Sequence, residues 1–258
     1  MMDSLPELAA KETSAHPPKA LAHEEIYKVV LDMLKGEHGL CLDFPAGEGA
    51  LAQLLKSEGF EVVCADLYPE FFKAGELICT RADLSERFPF DDNSFDIAVC
   101  IEGLEHIENP AFAIREFSRV LRSKGKLIIS IPNILNIEER LKVLFQGYTS
   151  HFKPITEKSL YRMSNEFPGR IEAALHINPI PYPELKYYLE KNNFEICKIA
   201  PDRKKSGAKW FYPLVGLIRL INRLHTSEYR RDRMLDELSS DEILLGGNTL
   251  LVCARKRD

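Results

Sequence analysis

Apolar residues follow two rhythms along this chain. From residue 40 to residue 131, short apolar runs recur: Leu40–Leu42, 61–65 (Glu-Val-Val-Cys-Ala), Leu77-Ile78-Cys79-Thr80, Phe95–Cys100 and 126–131 (Lys-Leu-Ile-Ile-Ser-Ile). Between them the apolar positions switch to helical spacing, at Ala50, Leu51, Leu54 and Leu55, and at Phe112, Ile114, Phe117, Val120 and Leu121. A further helical pattern, Ile26, Val29, Val30, Met33 and Leu34, precedes the first run. Strands alternating with helices predict an α/β doubly wound, mostly parallel sheet. After residue 132 the alternation loosens. A helix over 183–192, a strand over 194–200 and a last strand over 248–254 are separated by two long stretches, 133–182 and 201–247. Loops of that length usually carry function or secondary structure of their own. Residues 1–20 are polar, include Pro17-Pro18, and are expected to form a flexible arm ahead of one domain over 21–258.

The first strand carries the most telling chemistry. Leu42-Asp43-Phe44-Pro45-Ala46-Gly47-Glu48-Gly49 is a strand end, an acid and a glycine turn that opens into a helix. Such a turn builds a ligand crevice at the carboxyl edge of a parallel sheet, and the helix behind it aims its positive end there. Asp66 stands 23 residues after Asp43, about one strand–helix–strand step, at the tip of the second strand. An acid there is placed to accept hydrogen bonds from ribose hydroxyls. Asp83 follows the third run, and Ile101-Glu102-Gly103-Leu104-Glu105-His106-Ile107 follows the fourth.

Six motifs in order, Leu42-Asp43…Gly47-x-Gly49, Asp66, Ala82-Asp83-Leu84, Pro89-Phe90…Ser94-Phe95-Asp96, Glu105-His106-Ile107 and Leu121-Arg122-x-x-Gly125-x-Leu127, resemble the class I S-adenosylmethionine (SAM)-dependent methyltransferases. The resemblance covers residues 38–131, with weaker agreement beyond. It implies a seven-stranded, mostly parallel Rossmann-like sheet whose last strand is antiparallel, with inserts after strand 5 and between strands 6 and 7. It also implies SAM as cofactor and S-adenosylhomocysteine as product. Contacts would come from Asp43, Phe44, Ala46, Gly47 and Gly49 to the methionine portion, from Asp66 and Leu67 to the ribose, from Asp83 and Leu84 to the adenine, and from Ile101 and Glu102 beneath the methyl group. The family usually has glycine where Pro45 stands, so this turn should be stiffer and one N–H donor short.

The methyl donor is already activated, so the protein has mainly to position the acceptor and exclude water. His106 could act as a base with a pKa near neutrality, or only pack at a helix start. Two later segments look alike, 25 residues apart: His151-x-x-Pro154-Ile155 and His176-x-x-Pro179-Ile180. His106, His151 and His176 are the candidate catalytic residues, lining an acceptor pocket without a metal. The resemblance extends to small-RNA 2′-O-methyltransferases and ubiquinone-pathway O-methyltransferases, and so to a second arrangement. In it a divalent ion is held by Glu102, Glu105, His106 and a later histidine, with His176 the better match. The expected reaction is methyl transfer to a small-molecule, lipid-linked or glycan acceptor at oxygen. Two rivals stand beside it. Gly47-Glu48-Gly49-Ala50-Leu51-Ala52 also fits a looser NAD(P) fingerprint, G-x-G-x-x-A; a non-catalytic SAM-fold scaffold is the other.

Composition narrows the setting. With 258 residues, 45% hydrophobic and 28% charged, the chain can bury a full core. A net charge of −5 gives no global case for nucleic acid. The six cysteines have no metal-site spacing and read as reduced residues of strands, which suits a cytoplasmic protein. Charge is uneven, however. Residues 201–234 hold nine Lys or Arg against three acids and enclose the amphipathic stretch 210–224. That stretch suits packing on the sheet, a cover over the active site, a homodimer face, or peripheral contact with a membrane.

Overall fold

The computed structural model describes residues 17–20, 22–205 and 207–258. Most of the arm expected over 1–20 therefore lies outside the described residues; 17–20 have no regular structure. One seven-stranded sheet has the order β3-β2-β1-β4-β5-β7-β6. Its strands are β1 (Leu40–Asp43), β2 (Glu61–Asp66), β3 (Cys79–Arg81), β4 (Phe95–Cys100), β5 (Leu121–Pro132), β6 (Phe194–Pro201) and β7 (Thr249–Lys256). The first five pair in parallel, and β7 runs antiparallel between β5 and β6. The expected sheet is thus the observed one. β3 is shorter and later than the run 77–80, because pairing with β2 begins only at Cys79 opposite Cys64 and leaves Ile78 outside the sheet at 86% exposure.

Helices α1 (Glu24–Met33) and α2 (Ala50–Ser57) cover one face of the sheet. The other is covered by α3 (Pro110–Val120) and α6 (Tyr182–Lys191). Alternate residues of β4 feed the two cores. Ile97 and Val99 pack with Val30, Leu51 and Leu55, while Ala98 and Cys100 pack with Phe44, Phe88 and Phe117. That alternation follows from the two-residue repeat of a strand buried on both faces. The three phenylalanines form an edge-to-face cluster, with centroids 4.9 Å apart for Phe44–Phe88 and 5.0 Å for Phe88–Phe117. Truncating Phe117, which is fully buried, would cost about 3–5 kcal/mol.

Several of the recognised motifs serve this frame. Asp96 accepts from the Leu40 N–H at 2.9 Å and from Arg122 at 2.5 Å, tying the start of β1 to β4 and β5. A Cβ on Gly125 would sit 2.9 Å from the Arg122 carbonyl oxygen and 3.1 Å from that of Asp96, so only glycine lets the strands close there. Four of the six cysteines, Cys41, Cys64, Cys100 and Cys253, are buried; Cys79 is half-buried. Cys197 departs from the core reading, because β6 is an edge strand and exposes it.

The two long stretches are helical. The first holds α4 (Ile137–Gln146) and α5 (Glu157–Glu166); the second holds α7 (Tyr212–Arg223), α8 (Ser227–Asp232), α9 (Leu235–Leu238) and α10 (Asp241–Leu244). Polar residues knit them together. Asn136 caps α4 through the Glu139 N–H and donates to the Gly247 carbonyl. Asn133 donates to Ile243, Arg140 donates to Leu238, and Lys205 pairs with Glu138. Tyr182 and Lys186 of α6 both hold Glu237.

Candidate active site

The strand order reverses between β1 and β4, and a crevice opens there at the carboxyl ends of the strands, the place where such sheets bind ligands. Two adjoining cavities make up the crevice, sharing Pro45, Asp66, Tyr68 and Glu102. The first is lined by Asp43, Ala46, Gly47, Ile101 and Glu102, the second by Phe44, Leu67, Asp83, Leu84 and His106. Every cofactor residue expected from the sequence lines one of them except Gly49. Gly49 has φ 93° and begins α2; a Cβ there would meet the Phe72 ring at 2.6 Å and the Ala74 Cβ at 2.7 Å. Its role is to let the turn pack.

Asp66 braces the turn it faces. One carboxylate oxygen accepts from the Gly47 N–H and the other from the Tyr68 N–H, both at 2.8 Å. Burial raises its pKa, and these two N–H groups pull against that rise. Each oxygen keeps a lone pair for a ribose hydroxyl. Asp43 is buried deeper, at 1% exposure, and its Oδ2 has no partner. Burial, then the charge of Asp66, pushes its pKa well above the carboxylate range. A buried acceptor left unpaired is costly, and a ligand ammonium would satisfy it. Asp83 accepts from the Ser85 N–H at 2.7 Å, which turns the chain under the second cavity. The Phe44–Pro45 peptide is cis.

At the crevice wall, starting from His106, three imidazoles gather. His106 and His176 meet edge to face, with centroids 4.8 Å apart, and His151 stacks parallel on His176 at 5.7 Å. The His106 Nδ1 lies 2.9 Å from the Leu175 carbonyl, which can only accept; Nδ1 therefore carries the proton and Nε2 is the basic nitrogen. Burial lowers the pKa of all three, that of His176 to about 4 with help from the other two. All three are neutral at pH 7. Beside them Glu105 is fully buried, neither carboxylate oxygen has a hydrogen bond of good geometry, and its pKa is pushed well up by burial and by Glu102, against a weaker pull from the N–H groups of Gly103 and Glu105 itself. The Glu105 carbonyl accepts from the N–H groups of Ile177 and Asn178, which pins the His176 segment to it.

Ligand atoms of Glu105, His106 and His176 lie within 4.8 Å of one another. Glu102 does not join them, contrary to the four-residue set expected. It has φ 51°, and its carboxylate turns to Ser130 and Thr249. His151 lies behind His176 and adds no atom to the cluster.

Over residues 42–129 the chain matches the methyltransferase domain family. That match and the sheet order identify residues 42–129 as a methyltransferase domain of the class I SAM-dependent type. The methyltransferase is 29% identical over 159 residues to a ubiquinone biosynthesis O-methyltransferase of Photobacterium profundum, covering 54% of this chain and 68% of that one. It is 31% identical over 142 residues to an uncharacterized protein of Methanocaldococcus jannaschii, covering 54% of this chain and 60% of that one. Its fold is shared with a SAM-dependent methyltransferase of Archaeoglobus fulgidus: TM-score 0.55, 17% identity, 89% of this chain and 94% of the other. A Mesorhizobium loti enzyme of the same kind gives TM-score 0.53 and 16% identity, over 90% of this chain and 98% of the other. The antiparallel β7 and these relatives set aside the NAD(P) reading, whose sheet would run 3-2-1-4-5-6.

Among the crevice-lining residues of the methyltransferase that were not read from its sequence are Lys19, Tyr27 and Arg170. Tyr27 sits on the buried face of α1, and its helical spacing reads simply as core. Arg170 comes from the first insert. Its guanidinium lies 4.1 Å over the Phe71 ring, its Nε is buried without a hydrogen-bond partner, and its charge acts on Asp66 and Glu48. No spacing within 133–182 singles it out.

Proposed function

We propose that this methyltransferase transfers the SAM methyl group to a hydroxyl oxygen of a small-molecule, lipid-linked or glycan acceptor, with His106 taking the proton. The carrying observation is the His106 tautomer: a neutral imidazole on the wall of the crevice with Nε2 available. Bound SAM would supply the methyl group, its C–S bond breaking as the C–O bond forms and its sulfonium leaving as the neutral sulfide of S-adenosylhomocysteine, while His106 Nε2 would take the hydroxyl proton. The ubiquinone biosynthesis O-methyltransferases among the relatives support an oxygen acceptor.

A second reading concerns a divalent cation. The orphaned Glu105 carboxylate and the unpartnered, buried His176 Nδ1 fit such an ion, with His106 as the third ligand. When bound, the ion would supply Lewis-acid polarisation of the acceptor hydroxyl. Labelled-SAM turnover over quinone, lipid and sugar extracts tests the main reading: label in an alkali-stable ether is expected, and binding without transfer to any fraction would point to a scaffold. Dialysis against chelator separates the two modes, since activity that survives it rests on the histidines alone.

A further inference from the structure

We infer that the outward face of α7 is a docking surface for a bilayer carrying anionic phospholipid. This helix has two apolar faces. Val215, at 2% exposure, packs inward on Leu244 and Leu245, with Phe211 and Ile218 beside it. Leu217, Leu220, Ile221 and Leu224 are 51%, 58%, 49% and 79% exposed. Their spacing of three, one and three puts them on a single stripe. Trp210, 88% exposed, stands two residues before the helix. Isolated exposed leucines need no explanation, but a continuous stripe does.

Charge says what covers it. Residues 203–227 contain six Lys or Arg and no acid, in a chain of net charge −5. The cation on the inward side, Arg219, is held by Asp241 and the Ser239 carbonyl. Lys209 and Arg223, at the two ends of the stripe, are exposed and form no ion pair among the described residues. A second copy docked on the stripe would leave those cations without anions from this acid-free stretch. An anionic headgroup layer neutralises them while its acyl boundary takes the leucines and its interface takes Trp210. Twelve residues of helix are about 18 Å long. No described helix is long and apolar enough to cross a membrane, so α7 would lie in the interface plane.

Trp210 is the chain's sole tryptophan, which makes the test direct. The full chain is titrated with phosphatidylcholine vesicles, with and without phosphatidylglycerol, following emission and co-sedimentation. With phosphatidylglycerol the emission should shift to the blue and the protein should sediment, less so at high salt. Leu220→Glu with Leu224→Glu should abolish both signals without changing the melting curve, because these side chains are exposed. Lys209→Gln or Arg223→Gln should lower partitioning roughly fivefold for each cation removed. The inference is overturned if wild-type protein neither shifts nor sediments with phosphatidylglycerol vesicles. It is also overturned if, without vesicles, the protein forms a dimer that Leu220→Glu dissociates, since the stripe would then belong to a second copy.

Discussion

Asp66 and Glu105 are both buried carboxylates at the carboxyl edge of the same sheet, yet they are in opposite states. Asp66 has a well-formed N–H hydrogen bond on each oxygen; Glu105 has none of good geometry on either, only the nearby N–H groups of Gly103 and of its own backbone. The first belongs to a crevice whose shape is complete within residues 43–107, apart from additions by the N-terminal segment and Arg170. The second belongs to a cluster assembled from two distant segments, with donors and acceptors unspent. A satisfied buried carboxylate holds a loop in shape. An unsatisfied one marks where a proton, a cation or a substrate has still to come. On the proposed function, the crevice is a preformed donor half and the histidine cluster an acceptor half organised around what it lacks.

If that division holds, damage to the two halves should separate cleanly in kinetics. His106→Ala should have the largest effect, lowering kcat by about 10²–10⁴ while the affinity for S-adenosylhomocysteine stays within twofold, roughly. Turnover and calorimetry on the same preparation check this; a parallel loss of affinity would place His106 in the donor half. Asp66→Ala should do the reverse. It removes the brace of Gly47 along with the ribose acceptor and should weaken S-adenosylhomocysteine by about 1–3 kcal/mol. Unchanged affinity would remove Asp66 from the ribose site.

The same division explains what could be read from sequence. The donor half is built of strand tips, and a strand tip is a local event: the apolar run says where the strand ends, and the next residue faces the crevice. Asp43, Asp66 and Gly47 were visible for that reason. Glu102 was misplaced in the metal set because 102, 105 and 106 read as one helical turn. The chain takes a left-handed step at Glu102 and forms a 3-10 turn only over Leu104–His106. The preference for His176 over His151 rests in the sequence on likeness alone; its physical basis is a pair of contacts across 72 and 73 residues, from the Glu105 carbonyl to Ile177 and Asn178. Arg170 lies 104 residues beyond Asp66, in an insert whose fold no periodicity fixes.

Arg170 tests whether the insert takes part in donor binding. Its guanidinium is the insert's one cation in a cavity that also holds Asp43, Glu48, Asp66 and Glu102, and its Nε is unspent. The anionic group of the donor is its amino-acid carboxylate. Arg170→Ala should therefore raise the Kd of S-adenosylhomocysteine about tenfold, the scale of a hydrogen bond to a charged group. It should leave 5′-methylthioadenosine, which lacks that carboxylate, unchanged. Equal weakening of both ligands in calorimetry would instead set Arg170 against the nucleoside.

The smallest effect bears on Glu105 itself and is read from stability. Unfolded, this carboxyl ionises near its ordinary value of 4.5; folded, burial and Glu102 hold its pKa well above that. Between those two values the folded chain binds the extra proton, so the carboxyl's contribution to stability is full below the lower one and lost as pH rises through the upper. Gln cannot ionise. Glu105→Gln should gain in Tm relative to wild type on going from pH 5 to pH 8, by about 2–4 °C for each kcal/mol relieved. Asp43 shifts in the same direction but is present in both proteins, so the difference isolates Glu105. A divalent cation added at pH 8 should raise the Tm of wild type and not of the variant, since it binds the ionised carboxylate of the folded state alone. A Tm difference that is the same at both pH values, with and without the cation, would mean that Glu105 is already satisfied, and the contrast with Asp66 would disappear.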